Sequence, residues 1–214
     1  FSTLLPKMAD HRPDCNNFLN MDNALILIVE DEPQIADILA AYFAREGFGV
    51  HGLEGSEAGA AQARQRLDTE LPGWNRGDAD RLRVGDMCEL LPWADNHFDA
   101  VIDNDAVTCV DHDSACRVYA QMHRVARPGA WLYVRTPAAG TWGDGTGEAH
   151  GHNAWRCSEG PFAGTGIVRF ASEADLSALF KPWNVLQIEQ VSRTLENRSK
   201  VHAEWVVIAR KDET

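Results

Sequence analysis

The run Ala24-Leu-Ile-Leu-Ile-Val29 constrains this 214-residue chain more than any other feature. It has no polar residue to turn toward solvent, so it reads as a strand buried on both faces, as in a parallel sheet. It is far short of the roughly 20 residues needed to cross a bilayer as a helix. Acidic Glu30-Asp31-Glu32 follows, then Pro33 at the first position of a helix that carries Ile35, Ile38, Leu39, Tyr42 and Phe43 at helical spacing and stops at Gly47. A buried strand leading straight into an amphipathic helix is the opening of a βαβ unit.

The same alternation continues along the chain. Strands are predicted over 48–53, 82–84, 98–102 and 130–135, and helices from Ser56 to about Leu67, over 112–125 and over 172–180. Polar text over 68–80 reads as a surface loop, Pro128-Gly129 as a helix stop, and the segments 185–191 and 204–209 as a closing pair of strands. The expected fold class is α/β, a doubly wound, mostly parallel sheet with an antiparallel C-terminal strand. Residues 1–20 lack periodicity and read as a poorly ordered lead-in to one domain over 21–214.

Composition narrows the partners. A net charge of −12, with 20 Lys and Arg residues against 32 Asp and Glu, argues against nucleic acid, whose phosphates need a basic surface. No segment reads as a membrane span or a signal peptide. Five cysteines (Cys15, Cys88, Cys109, Cys116 and Cys157), without a Cys-x-x-Cys pair, read as reduced thiols of a cytoplasmic protein. A small molecule is the expected partner, and the oligomeric state is not legible.

Several motifs then occur in a fixed order: Val84-Gly-Asp-Met87 with Leu91-Pro-Trp93, Asp95-Asn-His-Phe-Asp-Ala-Val-Ile-Asp103, and Met122-His-Arg-Val-Ala-Arg-Pro-Gly129 leading into Trp131-Leu-Tyr-Val-Arg135. Singly these are ordinary turn chemistry. As an ordered set over about 48–211 they resemble class I S-adenosylmethionine (SAM)-dependent methyltransferases, particularly the small-molecule kind known as type 11. The resemblance implies a Rossmann-like fold, SAM as cofactor and methyl transfer to a small molecule. It places Asp86 and Met87 against the adenine and Glu54 on the ribose hydroxyls, from which a carboxylate can accept twice. Asp86 and Asp103 each follow a strand, where open α/β sheets bind their ligands.

The family's glycine-rich loop after the first strand falls here on Glu30, Glu32 and Gln34. None of them is glycine, and the three consecutive carboxylates Glu30, Asp31 and Glu32 would face a cofactor that has a carboxylate of its own, where like charges repel. Residues 24–48 instead resemble the start of a bacterial response-regulator receiver domain, in which acidic residues matching Glu30 and Asp31 hold Mg²⁺. That reading would bring Mg²⁺ beside Asp103, but the required lysine is missing, since none occurs between Met8 and Phe180. Two origins stay open: a diverged methyltransferase loop, or a receiver-like unit joined within 43–56. The alternative to an enzyme is a non-catalytic methyltransferase-like or receiver-like interaction protein.

On the acceptor side lies a long loop over 137–169 without regular structure, rich in Gly and Trp, of the kind that carries function. Trp142 and Trp155 are the expected walls for an acceptor, and His150 or His152 the expected proton acceptor. His150, His152 and Cys157 do not make up a zinc set, because a fourth ligand is lacking, so no metal site is expected.

Overall fold

The computed structural model describes residues 24–30, 33–70, 72–74 and 81–213, with the side chains of 33–35, 37, 38 and 70 excepted. The predicted lead-in and two of the three carboxylates after the first strand, Asp31 and Glu32, lie outside the described residues. The elements are β1 (Leu25–Val29), α1 (Pro33–Arg45), β2 (Gly49–Glu54), α2 (Glu57–Glu70), β3 (Leu82–Val84), β4 (Phe98–Asn104), α3 (His112–Val125), β5 (Ala126–Pro137), β6 (Glu148–Ala149), β7 (Ala154–Arg156), β8 (Val168–Arg169), α4 (Glu173–Leu179), β9 (Asn184–Leu195) and β10 (Lys200–Arg210).

Seven strands form one sheet in the order β3-β2-β1-β4-β5-β10-β9. Every pairing from β3 to β5 is parallel, and β10 runs antiparallel to both β5 and β9. This is the Rossmann-like, mostly parallel sheet expected, with an antiparallel C-terminal end. Strand order reverses between β1 and β4, which opens a crevice at their carboxyl ends.

Alternation along each strand sends side chains to two separate cores. On one face Leu27, Val29, Val101, Leu132 and Val134 pack against Ala115, Val118, Tyr119, Met122 and Val125 of α3 and Leu176 and Leu179 of α4. On the other, Ile26, Ile28, Ala100 and Ile102 pack against Leu39, Ala40 and Phe43 of α1. The buried residues of α3 recur at helical spacing, and Asp111 starts the helix by accepting from the Ser114 amide at 2.9 Å.

Two expectations about local structure need correction. Pro128 and Gly129 stop no helix, because α3 ends at Val125 and β5 has already begun at Ala126. They occupy an irregularity in the β4–β5 register, where Gly129 takes φ 77° and the missing N–H of Pro128 breaks no ladder. The loop over 137–169 also has regular structure, a small antiparallel sheet in the order β6-β7-β8. Gly147, at φ 80°, lets that sheet close, since a Cβ there would run into the Arg156 carbonyl.

Candidate functional site

A cleft of about 320 Å³ opens at the carboxyl ends of the first strands, lined by Val29, Glu30, Leu53, Glu54, Gly55, Gly85, Asp86, Met87 and Ala106. Four of the five residues expected on the cofactor side, Glu30, Glu54, Asp86 and Met87, come together there from the ends of β1, β2 and β3. Local hydrogen bonds fix two of the carboxylates. Glu54 Oε1 accepts from the Ser56 amide at 3.0 Å and the Ser56 hydroxyl at 3.1 Å, while the Gly85 amide donates to the Glu54 carbonyl at 2.9 Å. Asp86 Oδ1 accepts from the Cys88 amide at 2.8 Å. Arg124 of α3 then ties down the loop beyond them, donating to the Leu91 carbonyl at 2.8 Å and the Trp93 carbonyl at 2.9 Å.

Glu30 is the first residue after β1. It is 7% exposed, and its Oε2 accepts from the Asn104 side-chain amide at 2.6 Å. Strand alternation puts Glu30 on the face that α1 covers. Asp103, one residue before Asn104, belongs to the opposite face and does not line the cleft. It is fully buried and accepts from the amides of Ala106 at 3.0 Å and Val107 at 3.2 Å and from the Tyr119 hydroxyl at 2.7 Å. Burial pushes its carboxyl up to about 6, against the pull of those three donors. Asp103 therefore holds the turn that presents Ala106 to the cleft. With Glu30 and Asp103 on opposite faces, no shared cation site forms between them, and among the described residues no cluster of three metal-ligating side chains occurs.

The residues expected on the acceptor side lie apart from the cleft lining, in the insertion between β5 and α4. His152 Nε2 is 2.7 Å from Asp175 Oδ1, and its ring packs edge-on to His112. His150 Nε2 sits 3.4 Å from the Glu148 carboxylate. Trp142 donates its indole N–H to Glu159 at 2.9 Å under the Lys200 ammonium, whereas Trp155 packs against Cys157, Val168 and Phe170. The insertion is pinned over the ends of β5 and β10: Trp142 N donates to the Val201 carbonyl at 2.7 Å and Thr141 Oγ1 to the Ala203 carbonyl at 2.7 Å.

One polar group there was not anticipated. Glu204 of β10 accepts from Arg135 at the end of β5 and lies 2.8 Å from His202 Nε2, while the Phe162 ring of the insertion stacks on the imidazole. His202 Nδ1 is buried without a hydrogen-bond partner. The only sequence signal was His-x-Glu, a spacing that puts both side chains on one side of a strand. Glu30, Asn104, Arg135 and the Glu204–His202 pair thus form a polar row along one sheet face, at the carboxyl ends of β1, β4 and β5 and the start of β10.

Comparison with known proteins agrees with this fold. Residues 36–134 match the methyltransferase domain family. No curated protein sequence matches the chain. Among solved structures, a SAM-dependent methyltransferase from Methanosarcina mazei is 19% identical, covers 95% of this chain and 99% of its own, and superposes with a TM-score of 0.66. The 1,6-didemethyltoxoflavin-N1-methyltransferase of Burkholderia thailandensis, solved with S-adenosylhomocysteine, is 19% identical over 89% of this chain and 72% of its own, with a TM-score of 0.57. The [4+2]-cyclase SpnF is 16% identical over 92% and 77%, with a TM-score of 0.59, so closely similar sheets serve more than one chemistry. At these identities the likeness to solved structures is one of fold. Residues 36–134 thus match the methyltransferase domain family, and the sheet around them has a fold similar to that of solved SAM-dependent methyltransferases.

Proposed function

We propose that this chain transfers a methyl group from SAM to a small molecule. One observation carries the reading: in a sheet of methyltransferase topology, Glu54, Asp86 and Met87 converge on a single cleft at the strand ends. Its volume of about 320 Å³ lies within the usual range for small-molecule sites, roughly 300–1,000 Å³.

The residues present fit the cofactor. Glu54, held by Ser56, would accept from the ribose hydroxyls, and Asp86 with Met87 would flank the adenine. Glu30 is a poor neighbour for the cofactor's carboxylate but a good one for its ammonium and sulfonium groups. Bound there, SAM supplies an electrophilic methyl group on a positively charged sulfur. The protein's part is to align an acceptor and keep water out, and alignment alone supplies much of the rate in such transfers.

The acceptor would enter between the cleft and the insertion, with Trp142 and Trp155 in its walls. Of the two expected histidines, His152 is the better held, with Asp175 fixing its ring; His150 stands beside Glu148. A small acceptor suits an insertion pinned over the sheet. The net charge of −12 disfavours nucleic acid.

The rival reading, a non-catalytic protein on the same fold, draws on Glu30 in place of a loop glycine. Calorimetric titration with SAM separates the two. Saturable binding below millimolar concentration supports the enzyme, and no heat at millimolar SAM overturns it while leaving the fold intact.

A further inference from the structure

We infer that Glu30, held in place by Asn104, makes the cleft select the cationic methyl donor over its neutral demethylated product. The inference rests on the SAM site proposed above and concerns what this chain does differently with it.

The placement of Glu30 follows from the sheet order. Asp86 and Met87 follow β3, Glu54 ends β2 and Glu30 follows β1, so the three positions step across neighbouring strands about 4.8 Å apart. With the adenine at β3 and the ribose at β2, the amino-acid and sulfur end of the ligand falls at β1, where Glu30 stands. The glycine loop of the family leaves that position bare; here it carries a carboxylate fastened by the Asn104 amide at 2.6 Å. At 7% exposure the carboxylate is little screened by solvent.

Among the described residues, charge in the cleft has one sign: its lining includes Glu30, Glu54 and Asp86 and no lysine, arginine or histidine. SAM carries an ammonium, a sulfonium and a carboxylate, a net charge of +1. S-adenosylhomocysteine has lost the methyl group and the sulfonium charge together and is neutral overall. The two ligands have nearly the same shape, so their affinities differ mainly through that charge. A unit charge a few ångströms from a poorly screened carboxylate changes affinity by about tenfold or more. A loop that was merely damaged would weaken both ligands alike. A carboxylate that recognises the sulfonium separates them, and lets the spent cofactor leave.

The test is calorimetry on the whole chain with three probes: SAM, S-adenosylhomocysteine and adenosine. The wild type is expected to bind SAM about tenfold or more tightly than S-adenosylhomocysteine. In Glu30→Gln, which keeps an oxygen for Asn104 and removes the charge, that ratio should fall to near one, with S-adenosylhomocysteine affinity unchanged within about twofold. Adenosine, which reports only on the Glu54 and Asp86 wall, should bind both proteins alike and shows that the variant is folded. Equal or tighter binding of S-adenosylhomocysteine by the wild type overturns the inference, as does a ratio that survives in Glu30→Gln. If none of the three probes binds the wild type, the SAM site itself is wrong and the inference falls with it; adenosine binding without a SAM preference refutes the inference alone.

Discussion

The Tyr119 hydroxyl donates to Asp103 Oδ2 across 2.7 Å, joining the middle of α3 to the carboxyl end of β4. Both residues are fully buried. The bond sets the floor of the cleft, because Oδ1 of the same carboxylate holds the amides of Ala106 and Val107. Tyr119→Phe leaves a buried acceptor short of one donor and should cost about 1–3 kcal/mol in urea unfolding, with SAM affinity falling as the turn loosens.

Asp103 also sets a pH dependence. Its carboxyl is pushed up to about 6 from an ordinary 3.8, chiefly by burial, so the folded state favours the protonated form. Its contribution to stability is complete below the ordinary value and is lost as pH rises through about 6. Unfolding free energy should therefore fall between pH 4 and 6.5 by up to about 3 kcal/mol from this group. Asp103→Asn, which cannot ionise, should flatten that window. A variant profile that keeps the wild-type slope would assign the titration to another group.

Arg124 makes a second testable anchor. Its guanidinium reaches the Leu91 and Trp93 carbonyls and the Asp95 carboxylate at 2.7 Å, and so holds the loop that follows Asp86 and Met87. Lysine brings one ammonium in place of a fork. Arg124→Lys should lower stability by about 1–2 kcal/mol and weaken SAM binding several-fold, read by unfolding and by calorimetry.

What the sequence disclosed follows from how local each signal is. The ladder of β1 and the buried stripe of α3 were readable because Leu25–Val29 and Ala115 to Val125 carry their own periodicity. The grouping of Glu54, Asp86 and Met87 was carried by the family resemblance rather than by any local period. The sheet in the insertion was not readable: β6, β7 and β8 have two or three residues each, too few for a period, and their pairing depends on glycines such as Gly147. Arg135 and Glu204 are 69 residues apart, and only the antiparallel register of β5 and β10 brings them together. Asp103 follows the same strand pattern as Asp86, but alternation along β4 turns it to the other face of the sheet.

The Arg135–Glu204–His202 group supports a further prediction. Burial works against the Glu204 charge, but hydrogen bonds from His202 and Arg135 hold its carboxyl below the usual range. The stability it contributes is present above the ordinary carboxylate pKa and lost as pH falls through the lowered one. Glu204→Ala strands the Arg135 guanidinium, whose side chain is 33% exposed, so the cost at neutral pH should be about 1–3 kcal/mol, below that of a dry buried pair. The difference from wild type should shrink below pH 4. SAM affinity should stay within about twofold, because neither Glu204 nor Arg135 lines the cleft.

Asp175 carries the last prediction, because it serves α4 and the insertion at once. Its Oδ2 accepts from the Ser172 amide at 2.8 Å, the Ser172 hydroxyl at 2.7 Å and the Asn153 side chain at 2.9 Å, while Oδ1 meets His152. The Ser172 contacts close a capping box at the start of α4, and those to His152 and Asn153 fasten β7's leading turn to the helix. Burial raises the Asp175 carboxyl, but the hydrogen bonds outweigh it and hold it well below the usual range. Its stabilisation is therefore present above the ordinary value of 3.8 and is lost as pH falls through the lowered one. Asp175→Ala should cost about 1–2 kcal/mol at pH 7, and the gap from wild type should narrow under strong acid. Ser172→Ala, which removes only the hydroxyl half of the box, should cost about 1 kcal/mol and leave the insertion as resistant to protease as in the wild type. Asp175→Ala should expose the insertion to cleavage near 150–156. Equal proteolysis of the two variants would show that Asp175 supports the helix alone.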